Sequence, residues 1–194
     1  MIKAYIVVNV SKPKQIRRQL ARSFTRRMLE LLQSYYAATD FTDTYTAPSH
    51  KITLLAIKTI DGSNRAPRST MATQSGGGDD RFGIVVGDGV AAVTWDDYNL
   101  VRKIPHSATG LSYGPSSLTA IIDEPNGGSL RIIRTFTNNS SSNISITEVG
   151  LIVRFHSDAG VNTFALIARD QLSTPVVIAP GGTATFRYII RVVM

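Results

Sequence analysis

The sequence predicts a mainly β protein, an antiparallel, jelly-roll-like β-sandwich with one long N-terminal α-helix. Three observations lead there. Leu130–Asn138, Ile144–Phe155, Asn162–Arg169, Pro175–Ile178 and Thr183–Met194 are apolar or alternating runs, the pattern of short strands with one or both faces buried. The breaks between them, Asn-Asn-Ser-Ser-Ser-Asn, Ser-Asp-Ala-Gly, Leu-Ser-Thr-Pro and Ala-Pro-Gly-Gly, are turn chemistry. Upstream, Ile16, Leu20, Phe24, Met28, Leu31, Leu32 and Tyr35 recur three and four apart, which predicts one apolar helical stripe over residues 14–37.

Residues 4–10 read as a strand closed by Ser11-Lys12-Pro13, with Ser11 or Pro13 at the start of the helix. On that helix Arg18, Arg22 and Arg26 fall four apart, beside Arg17 and Lys14 and off the apolar stripe. Residues 38–50 lack helical periodicity and read as a loop or edge strand; residues 51–60 read as a strand. Gly, Ser, Asn, Thr and Pro dominate residues 61–80, a linker signature. Phe82–Val86 and Val90–Trp95 read as strands joined by a Gly87-Asp88-Gly89 hairpin turn. Asp96–Lys103 follows as one helical turn, and Leu118–Asp123 opens the strand series. The organisation expected is residues 1–50 as strand, basic helix and connecting loop, and 51–194 as one sandwich body.

In the terminal run Ala184, Phe186, Tyr188, Ile190, Val192 and Met194 alternate with Thr183, Thr185, Arg187, Ile189, Arg191 and Val193, one core face and one mixed face. Val149, Leu151, Val153 and Phe155 oppose Glu148, Ile152 and Arg154 in the same way. Apolar residues on the second faces (Ile152, Ile189, Val193) predict a further buried surface, against the helix or a neighbouring subunit.

With 43% hydrophobic and 18% charged residues in 194, the chain can build a core and is not disordered. Cysteine is absent, which excludes disulfides, thiolate metal sites and cysteine nucleophiles. No apolar run approaches the roughly 18 residues of a membrane helix, and the apolar start leads into Ser-Lys-Pro-Lys rather than a cleavage site. Charge is segregated: residues 1–36 hold eight basic side chains against Glu30 alone, while the rest carries thirteen of each sign. Such an element seeks a polyanion or an acidic protein face.

Several stretches occur together in order: Ser23-Phe-Thr-Arg-Arg-Met-Leu-Glu-Leu-Leu32, Phe82-Gly-Ile-Val-Val-Gly-Asp-Gly89, Asp96-Asp-Tyr-Asn-Leu100, Arg134-Thr-Phe-Thr-Asn138, Ile146-Thr-Glu-Val-Gly-Leu151 and Leu166-Ile-Ala-Arg-Asp170. This order resembles a family of small structural proteins encoded by tailed viruses of bacteria and archaea. The resemblance implies a virion component with a β-sandwich body, present in many copies as part of the capsid, neck or tail. Its partners would be itself and other virion proteins. The Arg-rich helix departs from that pattern.

Catalytic motifs find no anchor. Gly87-Asp-Gly-Val-Ala-Ala92 fits a loose dinucleotide fingerprint, but no helical stripe follows to present amides to a pyrophosphate. Gly76–Gly78 lacks the Lys of a phosphate loop. Asp79-Asp80, Asp96-Asp97 and Asp123-Glu124 are acidic pairs without ligand spacing; a divalent cation near Asp79, Asp80 or Asp96 stays open. His50, His106 and His156 are isolated, and the Asn-x-Ser triplets at Asn138, Asn139 and Asn143 read as a polar hairpin loop. The expectation is a non-enzymatic protein without cofactor, small-molecule substrate or membrane.

Arg17, Arg18, Arg22, Arg26 and Arg27 are the candidate contact residues, for a neighbouring subunit or for nucleic acid. Trp95, Tyr98 and Tyr113 are candidate stacking platforms for a carbohydrate-binding module or adhesin. An extracellular filament subunit is a related reading. The terminal strand is a candidate for pairing with a neighbour's sheet.

Overall fold

Along the last strand, β11 (Thr183–Val193), Ala184, Phe186 and Tyr188 are buried while the residues between them are half-exposed. That period of two selects one face for a core, and the partner strands repeat it. A computed structural model describes residues 2–21, 24–37, 57–65, 71–157 and 160–193. Its large antiparallel sheet runs in the order β2 (Lys14–Ala21), β1 (Ile2–Ser11), β11, β8 (Gly127–Asn138) and β6 (Leu111–Leu118), with β7 (Ile122–Glu124) also on β8. The small antiparallel sheet is β10 (Asn162–Ile178), β9 (Ile144–His156) and β5 (Gly83–Gly87). A minor pair, β3 (Ile57–Lys58) and β4 (Asn64–Arg65), lies apart. The two main sheets share one core, the plan of a β-sandwich. They are unequal rather than the matched pair of a jelly roll.

Register puts Ile6, Tyr188 and Ile132 in one row across β1, β11 and β8, and Val8, Phe186 and Arg134 in the next. Tyr113, Phe136 and Phe186 meet edge to face at 4.7 and 5.4 Å, a geometry that suits aromatic quadrupoles. The Tyr188 hydroxyl crosses the core to Asp170 Oδ2 at 3.0 Å. Asp170 pairs with Val149, so Val149, Leu151, Val153 and Phe155 point inward, as their alternation predicts. Glu148, Gly150 and Ile152 point away from the large sheet and are nevertheless buried. Loops and the helix α1 (Arg26–Ala37) cover that side, Thr25 anchoring the helix start by its amide to Ile167 O (3.0 Å) and its hydroxyl to Leu166 O (2.6 Å). The second surface predicted at Ile152 is built by this chain.

The long N-terminal helix is corrected. Lys14–Ala21 is strand β2, paired residue for residue with β1 across the Lys12-Pro13 turn, and among the described residues only Arg26–Ala37 is helical. A spacing of four is a multiple of two, so Ile16 and Leu20 share a face on a strand as readily as on a helix. Adding strand pairing to β1 decides between the two readings, because it satisfies backbone groups of both segments. Val90–Trp95 is likewise no strand but part of a loop. The expected strand at 51–60 is described only from Ile57 onward; residues 38–50 lie outside the described residues.

The terminal strand is not an edge. β11 lies between β1 and β8, paired with β8 throughout and with β1 over Ala184–Val192, so the expected pairing with a neighbour's sheet is corrected. The sheet edges are also occupied or guarded. Ile60, Thr25 and the Phe24 bridge engage β10; Lys103 bridges β5 at Gly87; Gly78 and Ser75 bond β6. β2 carries Lys14, Arg17 and Arg18 along its length, charges that discourage edge-to-edge association.

Candidate interaction surfaces

Arg17 and Arg18 are neighbours in a strand and so point to opposite faces. Arg17 turns inward across the open side of the sandwich, where its Nη1 donates to the carbonyls of Thr174 (3.0 Å) and Pro175 (2.7 Å). Gln19, on the same face, donates to Gln171 O at 2.8 Å and accepts from Ser173 N at 3.0 Å. Together they tie β2 to β10. Arg18 turns outward and lies 4.2 Å over the Tyr5 ring. Arg26 and Arg27 are on α1, both ion-paired with Glu30 at 2.9 and 2.8 Å. Arg22 lies outside the described residues. The five arginines were expected on one basic helix; of the four described, two lie on β2 and two on α1, and they do not form one site.

Of the aromatic trio, Trp95 is 52% exposed, Tyr98 is half-buried under Lys58 at 3.9 Å, and Tyr113 is 1% exposed. Tyr113 is a core residue donating to Ile104 O at 2.6 Å, and burial pushes its hydroxyl pKa up. A stacking platform needs an open ring face, so Tyr113 is corrected as a contact residue. Asp79 pairs with Arg81 (2.9 Å) and Asp80 with Lys103 (3.2 Å), while Asp96 stands 3.9 Å from both Arg26 and Arg27. Among the described residues no three His, Asp or Glu side chains gather to hold a metal ion.

Two surfaces remain. The first is the loop over residues 88–102, on the far side of the small sheet. A buried ion network fastens it. Glu148, fully buried, accepts from the amides of Val101 (3.2 Å) and Arg102 (2.8 Å) and from Arg169 Nε (2.8 Å). Arg169 reaches on to Asp97 Oδ2 at 2.7 Å and to the carbonyls of Ala91 (2.8 Å) and Ala92 (3.2 Å). Burial works against the Arg169 charge, and the two carboxylates overcome it and raise its pKa. For Asp97 burial is likewise outweighed, by hydrogen bonds from Thr94 and Arg169 that hold its pKa low. Thr147 and Gln171 add bonds to Gly89 O (2.7 Å) and Val90 O (3.0 Å). Gly87 and Gly89 are required here, since a Cβ at either would sit within 2.6 Å of Glu148 Oε1. They make room for a carboxylate rather than shape a hairpin or cradle a phosphate. The fastened loop holds Val90, Trp95 and Val101 out in solvent, at 73, 52 and 54% exposure.

The second surface is the outer face of the large sheet, which no described element covers. Strand register sets its rows: Leu20, Tyr5, Ile189 and Arg131; Arg18, Val7, Arg187, Ile133 and Ser117; Lys3, Arg191 and Ser129. Lys14 completes the set at the far end of β2. Six cations thus share one face, and the described carboxylate among them is Glu124, which holds Arg191 and accepts from Ser129 at 2.9 Å. Arg187 and Arg191 were legible in the terminal strand as members of its mixed face. Their gathering with Lys3, Arg18 and Arg131 was not, because it depends on which strands become neighbours. Ile189 and Val193, expected to be buried on a second surface, belong to this uncovered face. Nor did any local pattern mark Glu148 and Arg169, whose meeting requires β9 and β10 to pair.

Comparison of the chain with known protein families, curated proteins and solved structures found no match.

Proposed function

We propose that this protein is a structural subunit of a tailed-virus particle, present in many copies and assembled through contacts between subunits. Its place in the particle rests on the sequence resemblance. The observation that carries the assembly reading is the loop fastened by Glu148, Arg169 and Asp97, which holds Val90, Trp95 and Val101 outward. Exposed apolar side chains on a rigid support are suited to docking, because little conformational entropy is lost when they are covered. The sheet edges offer no comparable route to assembly.

Light scattering across a concentration series, with electron microscopy of the same samples, tests the reading. The chain is expected to form rings, tubes or a defined oligomer. Trp95→Asp combined with Val101→Asp is expected to abolish them while leaving the β circular dichroism signal intact. A chain that stays monomeric at every concentration, or a double variant that assembles unchanged, would overturn it.

A further inference from the structure

The outer face of the large sheet has a composition that the assembly reading does not use. Lys3, Lys14, Arg18, Arg131, Arg187 and Arg191 project from four strands, against Glu124 as the described carboxylate among them. They spread over about 26 Å along the strands and about 14 Å across them. Among the described residues Lys3, Lys14, Arg131 and Arg187 have no ion-pair partner. We propose that this face docks the phosphate backbone of nucleic acid.

The placement of the charges favours phosphate over an acidic protein surface. Six cations against one described carboxylate match a polyanion whose charge repeats along its length more fully than the mixed polar rim of a protein surface. Here Arg187 lies on the central strand, flanked by Val7 and Ile133. Those two are short branched side chains close to the sheet surface, so the longer arginines form the outermost layer. The strongly exposed apolar residues, Ile16 and Leu20, are confined to the edge strand β2. A rigid sheet also fixes the spacing of the cations before binding, and the Arg18 guanidinium rests over the Tyr5 ring. The cations meet phosphate, so recognition would be of the backbone, by displacement of its condensed counterions.

The test is fluorescence anisotropy of the full chain with a labelled duplex of about 24 base pairs and a single strand of equal length, from about 50 mM salt upward. Binding should weaken linearly in log–log form, with a slope near −4 if about four or five phosphates are met. Arg131→Gln with Arg187→Gln should bind at least about tenfold more weakly at low salt and reduce the slope by about two. Lys3→Gln with Lys14→Gln should act in the same direction, and Arg81→Gln, remote from the face, should change nothing. Thermal unfolding of each variant checks that the fold is kept. Absence of binding at low salt, or face variants that bind like Arg81→Gln, would overturn the proposal and leave the face to an acidic protein. Neither result depends on whether subunits associate through Trp95, which light scattering reads separately.

Discussion

Arg134 sits in the core with no exposed surface, held chiefly by backbone carbonyls, with Asp79 and Asp80 near enough to favour its charge. Its guanidinium donates to the carbonyls of Gly114, Phe82 and Ile84 at 2.8, 3.0 and 3.1 Å, reaches those of Gly76 and Asp79, and lies 4.7 Å from the Tyr113 ring centroid. One side chain thereby pins residues 76–84 to β6 and β8. Burial lowers its pKa to about 10, so it remains protonated at neutral pH and its desolvation penalty is relieved only above that value. Arg134→Met fits the volume but strands several carbonyls, each costing about 1–3 kcal/mol if left unpaired. A loss of at least about 3 kcal/mol is expected in denaturant unfolding. A loss below about 1 kcal/mol would mean that water replaces the guanidinium without penalty.

Strand β2 owes its position to a handful of polar contacts rather than to burial. Its side chains alternate between exposed and half-buried, and on its inward face Gln15, Arg17 and Gln19 stand where apolar residues would be expected. The Arg17 and Gln19 bonds to β10 make up for the missing apolar contact. Each is worth about 1 kcal/mol. Arg17→Ala with Gln19→Ala is therefore expected to speed amide hydrogen exchange in β2 by about tenfold or more while the core strands β8, β9 and β11 exchange as before. Uniform acceleration across all strands would show that β2 unfolds only with the whole sandwich. The same composition explains why this segment reads as a helix in the sequence: an edge strand polar on one face and mixed on the other lacks the clean alternation that marks β1 and β11.

Across the whole molecule, the carboxylates with lowered pKa values lie in the loops that flank the sandwich. A hydrogen bond from the Thr59 hydroxyl, supported by Ser63, holds Asp61 near pKa 2. Arg81 holds Asp79 low, and the bonds from Thr94 and Arg169 hold Asp97 low against its burial. These groups are protonated in the unfolded chain at a higher pH than in the folded one. Their contribution is complete above the ordinary carboxylate value of about 3.9 and is lost as pH falls through the folded values. Melting temperature is expected to be level just above about pH 4 and to fall steadily toward about pH 2. Asp97→Asn should make that fall smaller, at the expense of lower stability at neutral pH. An equally steep fall in the variant would place the acid sensitivity elsewhere.

The sequence by itself determined what depends on neighbours along the chain. The alternation of Ala184, Phe186 and Tyr188 marked a core face, the opposition of Val149 to Glu148 marked two sides of one strand, and the turn clusters marked the breaks. Those signals follow from the pleat, which any strand shares. Tertiary structure alone decided what depends on pairing. It turned Lys14–Ala21 from helix to strand by supplying β1 as a partner, and it enclosed the C-terminal strand on both sides. It also brought Glu148, Arg169 and Asp97 into one network, and it gathered Lys3, Arg18, Arg131, Arg187 and Arg191 on one face. Residues far apart in the chain become neighbours through register, and register is set by burial of a whole face at once.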